Sequence, residues 1–377
     1  MKDASAAPAH ERVVVPAFWC PLPAPSAQFS RPDELEAGAL EWLRLRMLET
    51  EPTQLRRLEQ ADFGDLAALT MPYGHPEALL TATKLHATLF SLDDDVDEGT
   101  VAPEQMARQV ERILALLDGS AEPRADDSAR ALALREIRID LEGHATPPQV
   151  RRWVAGMERY LSAVVAETAF RRSERLPSLE EYLPVWMGAI GMAPSTALIP
   201  VVAGIEVSDG ELDRPDVRAL TEMTWALVAL DNDLYSREKE LHRAGDALNV
   251  VDVLAREHRT SLSRAQDEAV VLRDRVMALF LRLLEQVAAD AGAPLRQYLE
   301  GLAQFVRGHL NWASECVRYA AAAAADVDDA ADAKAGGNAA ERTGRPPAAW
   351  WASRPTDDSL RPLPVASVRW WWEQLAV

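Results

Sequence analysis

Apolar residues recur every three to four positions along most of the chain. From Leu35 to Glu49, for example, Leu40, Leu43 and Met47 share one helical face. The same period predicts helices over 51–69, 76–93, 103–118, 126–143, 148–172, 178–204, 215–243, 247–255, 261–291 and 294–319. The helix at 76 follows Gly74-His75, and a proline suits a first helical turn because its missing N–H would be unpaired there anyway. No stretch alternates apolar and polar residues as a strand would, and no repeat of solenoid length occurs. The predicted fold class is therefore all-α, with one helical domain over 31–319.

Residues 1–30 are Pro-rich and read as an extended N-terminal arm. Residues 320–348 are rich in Ala, Asp and Gly and read as a linker. The tail, 349–377, carries Trp350-Trp351 and Trp370-Trp371-Trp372. Five tryptophans among polar residues are costly to leave in water. Two placements fit them: packed on the domain surface, or as a flap over the mouth of a site. From Pro184 to Ile205 there is no charged residue at all, a length that could span a membrane. Pro194, Pro200 and glycines interrupt it, so it reads as a buried core helix, and no stable membrane insertion is expected.

Charge narrows the partners. With 40 Lys and Arg against 59 Asp and Glu, the formal charge is −19. That field repels nucleic acid and anionic membranes. A site for an anionic substrate must overcome it locally, with metal cations or clustered basic side chains. Cys20 and Cys316 have no zinc or disulfide spacing, which suits a reducing compartment. Lys2, Asp3, Glu11 and Arg12 mix with prolines at the N-terminus, without a signal-peptide core. A cytoplasmic location is expected.

Three clusters stand out as candidate chemistry. Leu92-Asp93-Asp94-Asp95-Val96-Asp97-Glu98 ends an apolar helical run, and Asp93 and Asp97 share a face. Adjacent like charges at a helix C-terminus oppose the dipole and one another, so they call for a bound cation or full solvation. In Asn232-Asp233-Leu234-Tyr235-Ser236-Arg237-Glu238-Lys239-Glu240, the residues Asn232, Ser236 and Glu240 are four apart and stack three oxygen donors on one stripe. An amide, a hydroxyl and a carboxylate suit a hard cation. An ordinary amphipathic surface helix is the plainer reading, although Asn and Ser are poor helix-interior residues without a role. Arg318-Tyr319 ends the helix that carries Trp312 and offers phosphate donors.

Together, in this order, the clusters resemble those of bacterial class I terpene synthases, which carry an aspartate-rich motif, an Asn-Asp-x-x-Ser-x-x-x-Glu motif and a late Arg-Tyr pair. Asp93, Asp94 and Asp97 match the first; Asn232, Ser236 and Glu240 the second, with Lys239 at its basic position; Arg318 and Tyr319 the third. The resemblance runs from about Pro16 to Tyr319. Phe18-Trp19-Cys20-Pro21 and Ala61-Asp62-Phe63-Gly64 are similar to the 2-methylisoborneol synthase branch.

The resemblance implies a single helical bundle around a central apolar cavity. It implies Mg²⁺, as three ions with diphosphate bound, held by Asp93, Asp94 and Asp97 on one wall and Asn232, Ser236 and Glu240 on the other. Lys239, Arg318 and Tyr319 would stabilise the departing diphosphate, with Arg237 helping to hold it. The substrate would be a linear prenyl diphosphate of ten to fifteen carbons, 2-methylgeranyl diphosphate among the options. Phe90, Trp186, Trp225 and Trp312 are candidate cavity residues, each equally readable as core packing, and Gly191 marks the family's helix break near the substrate. A homodimer is left open.

One departure is plain. The family carries a diphosphate-sensing arginine in the helix before the second motif; the matching position is Trp186, and no Lys or Arg occurs between Arg175 and Arg214. A degenerate prenyl-diphosphate-binding protein without turnover is therefore the alternative expectation.

Overall fold

The computed structural model describes residues 14–25, 31–46, 52–97, 101–173, 175–244, 248–316 and 350–376; the side chains of residues 95, 97 and 242–244 are outside that description. Fourteen α-helices are described: α1 (Pro32–Leu45), α2 (Pro52–Glu59), α3 (Phe63–Thr70), α4 (Pro76–Asp97), α5 (Pro103–Leu117), α6 (Ala129–Glu142), α7 (Pro147–Arg171), α8 (Leu179–Ala189), α9 (Met192–Ala203), α10 (Asp209–Leu212), α11 (Pro215–Ala244), α12 (Val250–His258), α13 (Leu262–Asp290) and α14 (Ala293–Glu315). No strand occurs among the described residues; a lone bridge joins Phe18 to Trp351.

Local sequence sets most helix ends. Prolines open α1, α5 and α7. Ser178 accepts from the Glu181 N–H, and the Glu181 side chain returns to the Ser178 N–H, a reciprocal cap on α8. Two expected helices are broken. The stretch 51–69 divides into α2 and α3 at Asp62, which adopts a left-handed backbone with φ of 50°. The stretch 178–204 divides into α8 and α9 at Gly191, with φ of 76°. Glycine is favoured there because it has no Cβ to strain the left-handed conformation, and a Cβ would also crowd the Leu89 side chain. The helix expected to stop at residue 93 instead continues to Asp97, so the acidic cluster belongs to the helix itself.

α11 is the central element. From Met223 to Arg237 every residue is buried, and the helix packs against α13, α14, α8 and α12. α7 runs antiparallel to the broken α8–α9 pair, with Gly156 against Ala193 and Gly188 against Ala163. The uncharged stretch lies in this interior. Leu179–Ala203 is long and apolar enough to cross a membrane, but 83% of its most apolar window is buried inside the bundle.

The linker expected at 320–348 lies outside the described residues, as do 1–13 and 26–30 of the arm. The described parts of arm and tail pair with each other: Phe18 N–H donates to the Trp350 carbonyl at 2.9 Å and Ala352 N–H to the Phe18 carbonyl at 2.9 Å. The tail then follows the bundle's flank. Thr356 donates to Asp274, Arg275 pairs with Asp357, and Trp371 is wholly buried with its indole N–H on Glu222. Among the described residues, none of the five tail tryptophans lines the central cavity, and the described tail is docked on the bundle's surface.

Candidate active site

A cavity opens between α4, α8–α9, α11 and α14. Its apolar wall includes Leu66, Leu89, Phe90, Trp186, Val228 and Phe305. Its polar wall brings together Asp93 from α4 and Asn232, Lys239 and Glu240 from α11. Asp93 is 139 or more positions from the α11 residues in sequence, and they meet because α4 and α11 flank one hollow.

The α11 stripe is preorganised. Tyr235 Oη accepts from Asn232 Nδ2 at 3.0 Å, which turns Asn232 Oδ1 toward Ser236. Ser236 Oγ lies 3.3 Å from that oxygen and 2.5 Å from Glu240 Oε1. Asn249 Nδ2 donates to the other Glu240 oxygen at 3.3 Å and to the Asp233 carbonyl at 2.9 Å. Asn249 also caps α12 through the Val251 N–H. All three stripe residues are buried. Three hard oxygens converging in a shielded place are a donor set that fits Mg²⁺, which takes oxygen ligands and keeps waters or phosphate for its remaining positions.

Asp233, one residue along, does a different job. Its Oδ2 accepts from Tyr182 Oη at 2.8 Å and from the Val250 N–H at 2.9 Å, tying α11 to α8 and α12. Burial, with nearby Glu240, holds its carboxyl well above the ordinary carboxylate range. Asp233→Ala is expected to cost about 1–3 kcal/mol in urea unfolding, since it leaves the buried Val250 N–H unpaired and the Tyr182 hydroxyl with only the Leu248 carbonyl at 3.3 Å. Asp233→Asn, which keeps an acceptor, should lose less, and equal losses in the two variants would contradict this role.

Several sequence expectations are corrected. Trp225 does not line this cavity. Its indole N–H donates to Thr196 Oγ1 at 3.0 Å and its ring faces Arg159, on a separate groove beside α7. Seven residues from Asn232 keep it near the same helix face but about 10.5 Å along the axis, past the end of the hollow. Trp312 stands behind the wall: its N–H reaches the Ala61 carbonyl, and its ring meets Phe90 edge-on at 5.9 Å and lies 5.5 Å from His309. Arg237 is turned away from the cavity, held by Asp252 at 2.7 and 2.8 Å and by Glu238. Asp94 is buried but is not among the cavity residues. The side chain of Asp97 lies outside the described residues, as do Arg318 and Tyr319 entirely.

Phe90, Trp186 and Gly191 do line the cavity. Trp186 donates to the Ala229 carbonyl at 3.1 Å and stacks on Tyr182. Sequence reasoning missed Tyr160, Tyr235, Asn249, His86 and His309. Tyr160 lines the cavity, and burial together with Asp93 pushes its hydroxyl well above the ordinary range. Only Asn249 had a readable signal, as a cap before the apolar run of α12.

The comparisons agree on one family. The model described as Terpene synthase family 2, C-terminal metal binding, matches residues 84–278. The germacradien-6-ol synthase of Streptomyces pratensis is 31% identical, over 96% of this chain and 97% of its own. The chain belongs to the terpene synthase family. Spiroviolene synthase of Streptomyces violens is likewise 31% identical, over 95% of this chain and 96% of its own. Among solved structures, the SVS_A2 protein from ancestral sequence reconstruction aligns with a TM-score of 0.77 at 30% identity, covering 95% of this chain and 98% of that one. The 2-methylisoborneol synthase of Streptomyces coelicolor, solved with Mg²⁺ and 2-fluoroneryl diphosphate, shares the fold with a TM-score of 0.72 at 22% identity, over 82% of this chain and 98% of that one. The chain is thus an all-α terpene synthase, a lyase, and the matched family segment spans both the Asp93 and the Asn232–Glu240 elements.

Proposed function

We propose that this synthase is a Mg²⁺-dependent class I cyclase that ionises a linear prenyl diphosphate of ten to fifteen carbons and closes the resulting carbocation into a ring, releasing diphosphate. On this reading it works in the cytoplasm. One observation carries the proposal: a single cavity with carboxylate, amide and ammonium groups from α4 and α11 at one end and an apolar wall below.

Asp93 on one side, and Asn232, Ser236 and Glu240 on the other, would hold the metal; Asp94 and Asp97 are the further acids of the first motif. Bound Mg²⁺ supplies Lewis-acid neutralisation of the leaving diphosphate. Lys239, in the same cavity, adds a positive charge to the departing anion, with Arg318 and Tyr319 proposed alongside it. The hydrocarbon lies against Leu89, Phe90, Trp186 and Phe305, which exclude water. The faces of Phe90 and Trp186 can favour a cation by about 0.5–2 kcal/mol each. Support for substrate size comes from relatives whose names state it, such as the T-muurolol synthase of Streptomyces clavuligerus, 31% identical over 80% of this chain, which cyclises farnesyl diphosphate.

The test is incubation with geranyl, 2-methylgeranyl, farnesyl and geranylgeranyl diphosphates, each with Mg²⁺ and with excess chelator, read by diphosphate release and mass spectrometry. A cyclic product from a ten- to fifteen-carbon substrate, lost with chelator, is expected. Binding without release from all four would favour the degenerate alternative that Trp186 raises.

A further inference from the structure

The cavity holds two histidines that ionisation does not use. His86 on α4 and His309 on α14 both line it, both are buried, and neither ring Nδ1 has a hydrogen-bond partner among the described residues. A buried nitrogen without a partner is costly to keep and calls for a reason.

Their other nitrogens differ. His309 Nε2 is tied to Tyr235 Oη at 3.1 Å, and that hydroxyl holds Asn232, so His309 serves the metal wall. His86 Nε2 faces Ser195 Oγ at 3.5 Å. Ser195 already gives its only proton to the Gly191 carbonyl at 2.8 Å, so it can only accept from His86. With Ser195 as the acceptor, the tautomer this geometry favours has the His86 proton on Nε2 and an unshared lone pair on Nδ1. Burial also lowers its pKa to about 4, so the ring is neutral near pH 7.

Position adds to chemistry. His86 precedes Asp93 by seven residues, two turns along nearly the same face of α4 and about 10.5 Å from the acidic end. A diphosphate held near Asp93 and Glu240 is remote from a proton released at the deep end. His86 is a nitrogen base already there.

We propose that His86 is the proton acceptor that ends the carbocation reaction at the deep end of the cavity. A C–H bond beside the cationic carbon breaks, its electron pair forms the carbon–carbon double bond, and the proton goes to Nδ1. The products are a neutral cyclic alkene and an imidazolium, which passes its proton to the released diphosphate or to water as product leaves. A carbocation is a far stronger acid than an imidazolium, so the lowered basicity of His86 is no barrier. This rests on the synthase reading above and adds how the reaction stops.

The test uses His86→Phe, His86→Gln and Ser195→Ala in the full chain, with a substrate that the unaltered protein turns over. A general base contributes about 10²–10⁴-fold to its own step. In both His86 variants the share of the principal alkene is expected to fall at least about tenfold, with earlier-deprotonated or hydroxylated products replacing it, while diphosphate release slows by less than that. Ser195→Ala, which frees the tautomer, should shift products in the same direction and less far. An unchanged product distribution in both His86 variants overturns the inference. So does a parallel fall in release, product and thermal midpoint, which would make His86 a packing residue. If the unaltered protein releases no diphosphate from any substrate, the synthase reading itself has failed, a result distinct from an unchanged product pattern.

Discussion

Replacing Glu240 with alanine is expected to lower diphosphate release by about 10²–10³-fold and to leave the helical content unchanged. The loss follows from what the carboxylate does: one oxygen meets Ser236, the other is oriented by Asn249, and the group lies in the cavity that Asp93 shares. Without it, the stripe keeps only neutral donors, and a preorganised contact to charge that develops in the transition state is worth about 2.7–4 kcal/mol. Alanine is the best helix former, so α11 itself should not suffer. Asn232→Ala should act in the same direction, freeing Tyr235 Oη and removing one oxygen donor. Glu238→Ala is the control, because Glu238 pairs with Arg237 outside the cavity. Steady-state release with farnesyl diphosphate and Mg²⁺, beside far-ultraviolet circular dichroism, checks all three. Full activity in both Glu240→Ala and Asn232→Ala would remove the metal assignment.

Arg273→Met is expected to destabilise the fold by about 3–5 kcal/mol, the cost of leaving a buried charge without its partner. Arg273 on α13 and Asp231 on α11 are both wholly shut from water and meet at 2.7 Å. Arg273 also donates to the Trp19 carbonyl and lies near Asp274, so one guanidinium joins α11, α13 and the N-terminal arm. Burial raises the Asp231 carboxyl above its ordinary value despite Arg273, while on Arg273 the opposing effect of burial is outweighed by Asp231. The pair is therefore expensive to build and more expensive to break. The double variant Arg273→Met with Asp231→Leu should recover much of the loss, because the Arg273 and Asp231 charges go together and Asp274 keeps its bonds from Thr356. Urea unfolding midpoints decide it: a single variant as stable as the parent would show that the pair contributes nothing. Since Asp231 adjoins Asn232, the single variant should also weaken turnover.

Several features were legible because they follow from local spacing. Apolar periodicity placed the long helices α7, α11 and α13 to within a few residues, since a buried face must repeat at the helical period whatever the neighbours are. The oxygen stripe of Asn232, Ser236 and Glu240 was equally readable, because four-residue spacing alone stacks side chains on one face. Of the candidate cavity residues, Phe90 and Trp186 line it. Trp225 and Trp312 follow from the same spacing and do not: spacing gives the face of a helix, but not how far along it the hollow extends.

By itself, then, the chain's residue order determined an all-α architecture, the two chemistry-bearing helices and the family to which they belong. Tertiary structure alone decided which side chains share the cavity. It turned the buried Arg237 away from the cavity onto Asp252, docked the tail tryptophans on the flank, and set His86, Tyr160 and His309 in the cavity wall. The reason is physical: helical period is a property of neighbours in sequence, whereas a cavity is the space left where helices distant in sequence fail to touch. Its lining depends on crossing positions and rotamers that no single segment encodes.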